Sequence, residues 1–191
     1  MFVPSLLGIP IPLLPIHILW VNLITDGLPA LALGVEPIER GIMQRQPRPK
    51  NEPVITKRGS FMILSQGAFI TICTLAAFCL SLFWLKEDLG RARTLAFTTL
   101  TFSELLRSFA ARSLTKPLFK IGVFTNMKLI YAAGSSFLLQ MAVLYIPFLR
   151  VVFKVDPLRG ADWLLIVLAA SFPFCATELT KVVNKKRWKE I

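Results

Sequence analysis

The sequence predicts an all-α fold, a polytopic transmembrane bundle of about five spans with the first span broken near Asp26-Gly27-Leu28-Pro29. Three observations lead there. Of 191 residues, 54% are hydrophobic and 17% charged, whereas a soluble domain carries about a quarter charged residues. That apolar excess has no place in a single globular core of this length. The charges are also uneven, with long runs holding none and Lys and Arg crowded into short stretches. A soluble enzyme and a disordered tail are both excluded.

The elements follow in order. Residues 1–14 hold no Lys or Arg and are interrupted by Pro4, Pro10 and Pro12, so they lack the basic and apolar regions of a signal peptide. They are expected to be a non-cytoplasmic loop or the end of a preceding helix, in a chain that is a piece of a longer one. Residues 15–35 have the length of a span, about 20 mostly apolar residues. Residues 36–58 are expected to be a cytoplasmic loop, stiffened by Pro47, Pro49 and Pro53. Residues 59–180 hold four further spans: Phe61–Leu85, without a charge; Thr94–Ala111, apolar except for Glu104 and Arg107; Leu129–Leu149; and Trp163–Thr180. Residues 181–191 form a basic cytoplasmic tail.

Charge placement sets the orientation. The 36–58 loop, the link from Arg112 to Lys128 and the tail together carry fifteen Lys and Arg, while the opposite side carries six: Lys86, Arg91, Arg93, Arg150, Lys154 and Arg159. Cytoplasmic loops carry the cationic excess, which puts the N-terminus outside and the C-terminus, Gln46 and Lys186 in the cytoplasm. The net charge of +11 therefore flanks apolar spans and does not form the basic stripe of a nucleic-acid binder. Cys73, Cys79 and Cys175 lie in apolar stretches without metal-ligand spacing and read as small buried hydrophobes. Trp20, Trp84, Trp163 and Trp188 fall toward span ends, as an aromatic belt places them, although ordinary packing accounts equally for Trp20.

The chemistry concentrates in the first span. Asn22, Thr25 and Asp26 stand at i, i+3 and i+4 and so share one helical face. All three carry the oxygen donors that hard cations such as Ca²⁺ require. An Asp at membrane depth costs at least about 2.5 kcal/mol and is by default functional. Pro29 removes a backbone donor and frees the carbonyl of Thr25. A helix broken at this depth is tolerated where it lines a polar cavity, and freed carbonyls beside a carboxylate make a cation site. The alternative is a plain turn at Asp-Gly-Leu-Pro, which would leave flanks too short to span.

Glu104 is the second carboxylate. Counted from their spans' starts on the same side, Asp26 and Glu104 both lie about 16 Å deep, near the middle of a ~30 Å hydrocarbon core. A shared cation site needs that arrangement. Arg107, at i+3, competes by neutralising Glu104 as a local pair, or else reaches the interface. Gln140 reads as a helix-packing contact, Glu178 as facing Lys181 or water, His17 as interfacial, and Asp162 as an N-cap of the last span. No phosphate-cradling loop or nucleophile triad occurs, so catalytic and cofactor-binding residues are expected to be none.

LPIHILWVNLITDGLPALALGVEP (Leu14–Pro37) closely resembles the sixth transmembrane helix of P-type cation-transporting ATPases. IMQRQPRPKNEPVI (Ile42–Ile55) resembles the loop that follows it, FTTLTFSELLRSF (Phe97–Phe109) the eighth helix, and Val143–Trp163 the end of the ninth and its link to the tenth. The resemblance covers essentially the whole chain, as helices six to ten. Asn-x-x-Thr-Asp-Gly-Leu-Pro is most similar to calcium pumps of the sarcoplasmic-reticulum type and their bacterial relatives. It implies that Asn22, Thr25, Asp26 and Glu104 are ligands of a transported Ca²⁺, with Asp26 shared between two ions. Arg107 is foreign to that ligand set and speaks against two ions. The short Lys86–Arg93 link implies a bacterial plasma membrane as the location. By the same resemblance, Mg²⁺ and ATP act only through domains outside this chain. The implied partners are helices one to five, the cytoplasmic domains and the lipid bilayer, with no nucleic acid. The alternatives are a free-standing regulatory or assembly subunit, and part of a Mn²⁺ or Na⁺ pump.

Overall fold

The computed structural model describes residues 8–37, 53, 57–113 and 116–183, and every regular element among them is helical. In chain order these are α1 (Pro15–Gly34), α2 (Lys57–Cys79, continuing through a π-helical turn at Leu80–Trp84), α3 (Leu89–Ala110), α4 (Leu118–Ile121), α5 (Met127–Tyr145), α6 (Pro147–Phe153) and α7 (Gly160–Val183). The long helices alternate in direction. Glu36 after α1, Arg112 after α3 and Asn126 before α5 meet at one end, here the loop end. Glu87 after α2, Arg91 in α3 and Arg159 before α7 meet at the other, the link end.

Among the described residues four helices are long and apolar enough to cross a membrane: Pro15–Gly34, Gly59–Trp84, Met127–Tyr145 and Gly160–Val183. The remaining predicted span is α3, which has 22 residues but carries Arg91, Arg93, Glu104 and Arg107. It can afford them because it lies in the middle of the bundle, packed against α1, α2, α5 and α7. Ala92, Leu95, Ala96 and Phe97 are fully buried, as are Thr94, Thr98, Thr99 and Thr101. A helix enclosed by protein need not be apolar all round. Thr94 and Thr98 donate to the carbonyls of Gly90 (2.9 Å) and Thr94 (2.8 Å), which satisfies them within the helix.

Several boundaries differ from expectation. The span predicted over Leu129–Leu149 ends at Tyr145, and Ile146 turns extended (ψ 119°) before Pro147 opens α6. The proline disfavours helical geometry in the residue before it and is at ease in a first helical turn. Helix α3 begins at Leu89 rather than Thr94, because Arg91 and Arg93 bond to protein and so lie within the helix. The 36–58 loop lies largely outside the described residues, as do Gln46, Lys186 and most of the tail.

Helices α1 and α5 run antiparallel along a seam of polar rungs. Trp20 Nε1 donates to Gln140 Oε1 (2.9 Å), Ser136 Oγ to the Ile24 carbonyl (2.7 Å), and Asn126 Nδ2 to the Ala32 carbonyl (3.2 Å). Helix association in lipid gains little from hydrophobicity and leans on close packing and such bonds. Gln140 is thus the packing contact expected of it.

Candidate cation site

The site begins with the geometry of α1. The expected break is not an unwound segment. The helix runs α over Pro15–Trp20, π over Val21–Asp26 and α again over Gly27–Gly34. Asp26 (φ −92°, ψ −43°) and Gly27 (φ −62°, ψ −54°) both stay right-handed. The wide turn restarts the helix at Gly27, which places Pro29 in a first α turn where its missing N–H is harmless. Ser136 from α5 satisfies the Ile24 carbonyl within the widened turn. Unwinding would have exposed several backbone groups at once, and the π turn avoids that.

The turn divides the three donors. Thr25 is buried and its hydroxyl has no partner among the described residues, Asp26 is 42% exposed, and Asn22 is exposed. The single face expected for all three is therefore only partly realised, because a π turn rotates successive side chains differently from the α geometry assumed in the spacing.

Asp26 and Glu104, expected at equal depth, meet at one guanidinium. Arg107 Nη2 lies 3.6 Å from Asp26 Oδ1, and Arg107 Nε donates to Glu104 Oε2. Glu104 is 15% exposed and Arg107 41%. The two accounts of Glu104 thus hold together: it sits level with Asp26, and it is paired with Arg107. Two carboxylates on different helices and one half-exposed guanidinium make a cluster able to bind a hard cation once Arg107 releases a carboxylate. Among the described residues no group of three or more His, Cys, Asp or Glu side chains converges, so further oxygens must be backbone, amide, hydroxyl or contributed from outside the chain.

Other polar residues fall partly as expected. Glu178 pairs with Lys181 at 2.7 Å and accepts from the Leu118 N–H (2.6 Å), while Lys181 also donates to the Ala110 carbonyl (2.7 Å) at the end of α3. Asp162 is not the N-cap: α7 begins at Gly160, which puts Asp162 inside its first turn. It is buried, accepts from the Arg159 N–H (2.6 Å) and takes two bonds from Arg91 (2.6 and 3.1 Å). His17 is enclosed by protein. It is fully buried, stacked on Phe97 at 4.4 Å, with Nε2 2.8 Å from the Phe153 carbonyl. The Leu14 N–H donates to its Nδ1 (3.3 Å), so Nε2 carries the proton. Ser136 is the residue that sequence reasoning missed; its spacing of four from Gln140 was the available signal, since both face α1.

A family model described as "Cation transporting ATPase, C-terminus" matches residues 10–183. The chain belongs to this family. Among its relatives, calcium-transporting ATPase 1 of Bacillus cereus is 39% identical over 97% of the chain and 22% of its own length. The calcium-transporting ATPase of Bacillus subtilis is 39% identical over 91% of the chain and 19% of its own length. The rat calcium-transporting ATPase type 2C member 2 is 38% identical over 93% and 19%. The chain thus spans about a fifth of the length of these curated relatives. As the C-terminal part of a cation-transporting ATPase, it is an integral membrane segment of a larger pump.

Proposed function

We propose that this chain is the C-terminal membrane part of an ATP-driven pump that exports Ca²⁺ from the cytoplasm, and that Asn22, Thr25, Asp26 and Glu104 supply its share of the ion's oxygens. The convergence of Asp26 and Glu104 on Arg107 carries this reading, and the names of the relatives support calcium as the cargo. Ca²⁺ takes six to eight oxygen ligands, with carboxylates supplying most of the attraction. Arg107 already brings one positive charge to the pair, so this half of the site calls for one divalent ion rather than two. When an ion arrives, Arg107 gives up Asp26, the more distant partner, and keeps Glu104. Mg²⁺ and ATP act on the complete pump through domains outside this chain, and the N-terminal side faces outward across a bacterial plasma membrane.

Asp26→Asn in the complete pump tests the reading. The substitution keeps shape and hydrogen bonding and removes the charge, so calcium-dependent phosphorylation by ATP should be lost. Phosphorylation from inorganic phosphate, which needs an ion-free site, should survive. Glu104→Gln should do less, because Arg107 already balances Glu104. Wild-type calcium dependence in the Asp26→Asn pump would place the ion elsewhere.

A further inference from the structure

The six cations on the sparsely charged side of the sequence do not share one fate. Arg91 and Arg159 are held by carboxylates: Arg91 by Asp162 and Glu87, and Arg159 by Glu87 at 3.1 Å. Arg93, Arg150 and Lys154 instead line a cavity of about 640 Å³ at the link end, where α3 meets α6 and the turn after it. Arg93 spends one donor on the Ile11 carbonyl (2.9 Å), which fixes its stem, and its outer guanidinium nitrogens make no bond among the described residues. Arg150 has a buried Nε with no partner among the described residues. Lys154 makes no side-chain bond among the described residues and sits in left-handed geometry (φ 53°, ψ 47°), where glycine is usual. One carboxylate, Asp156, shares the lining. It is drawn over Gly90, so closely that a Cβ there would stand 2.1 Å from Asp156 Oδ2.

Three cations gathered round one cavity repel each other, and a buried guanidinium N–H without an acceptor is costly. The repulsion is offset if an oxyanion with several acceptor oxygens occupies the space. Phosphate suits guanidinium and ammonium donors together. The cavity also opens beside apolar side chains that face outward, Phe148 at 74% and Val151 at 78% exposure, which is where an acyl chain would run.

We propose that this cavity binds the phosphate of an anionic phospholipid headgroup, held by Arg93, Arg150 and Lys154. The site is separate from the Asp26–Arg107–Glu104 cluster and does not depend on which ion is carried. The test is phosphatidylglycerol retention by the complete membrane protein, read by native mass spectrometry after reconstitution in nanodiscs of phosphatidylcholine with a minor share of phosphatidylglycerol. Each cation near a phosphate contributes about 1 kcal/mol, so Arg150→Gln with Lys154→Gln should weaken retention of one phosphatidylglycerol on the order of 30-fold. The charge-conserving pair Arg150→Lys with Lys154→Arg should retain it, which separates loss of charge from loss of fold. An excess of inorganic phosphate should not release a lipid anchored by its chains. Release by phosphate would keep the oxyanion site and assign it to a soluble anion instead. Equal phosphatidylglycerol retention by wild type and the Gln pair would overturn the proposal.

Discussion

Helices α1 and α3 are joined twice by a carboxylate and an arginine, once within the helices and once just beyond their ends, and the two junctions are built differently. At the loop end Arg112 is fully enclosed and donates twice to Glu36 (2.7 and 2.9 Å), to the Gly122 and Val123 carbonyls (2.8 and 3.2 Å) and to Thr125 Oγ1 (2.5 Å). The other Glu36 oxygen accepts from Asn126 (2.5 Å), whose own carbonyl oxygen caps α5 at the Leu129 N–H (3.0 Å). Every donor of that arginine has work. At mid-bundle Arg107 is 41% exposed, holds Glu104, and stands 3.6 Å from Asp26. A saturated junction resists separation, whereas an unsaturated one has charge to offer an ion. The same two helices are thus bolted at one end and left open in the middle, where the bound ion would make the connection.

The largest effect expected from breaking this contrast is at the bolt. Arg112→Ala leaves Glu36 and two carbonyls without their buried donor and should cost about 3–5 kcal/mol, measurable as reduced unfolding free energy in detergent. Asn126→Ala removes an N-cap together with bonds to Glu36 and to the Ala32 carbonyl and should cost roughly 3 kcal/mol, from about 1 each. Arg107→Gln should cost only about 1 kcal/mol, because a half-exposed pair contributes little. In the complete pump the same change frees both carboxylates, so its calcium dependence should shift while its fold does not. If Arg107→Gln destabilised as strongly as Arg112→Ala, the distinction between bolt and open site would fail. The smallest effect belongs to the seam: Gln140→Leu loses the Trp20 bond but also an unpartnered amide nitrogen. It should cost about 0.6 kcal/mol, the average for interhelical bonds in membranes.

Much of the candidate site's geometry was legible because depth in a membrane is a linear coordinate. Counting residues from span starts placed Asp26 and Glu104 at one level, and they meet at Arg107. Azimuth is not linear in the same way. The α1 spacing put Asn22, Thr25 and Asp26 on one face, but the π turn at Val21–Asp26 buries Thr25 and leaves Asn22 exposed. Pro29 announced a defect in the helix, while its form depended on Ser136, more than a hundred residues away.

The amino-acid sequence alone determined the helical class, the approximate helices and the placing of two carboxylates at one level. Those follow from hydrophobic run length and a fixed rise per residue, both local quantities. Only the tertiary structure decided which charges are spent and which are free. Arg91 and Arg93 are two residues apart in one helical turn, yet the first is buried against Asp162 of α7 and the second opens onto a cavity beside α6. Arg112 and Arg107 differ in the same way. Whether a cation is neutralised depends on which helix packs against its face, and residues distant in the chain set that through packing and hydrogen-bond geometry.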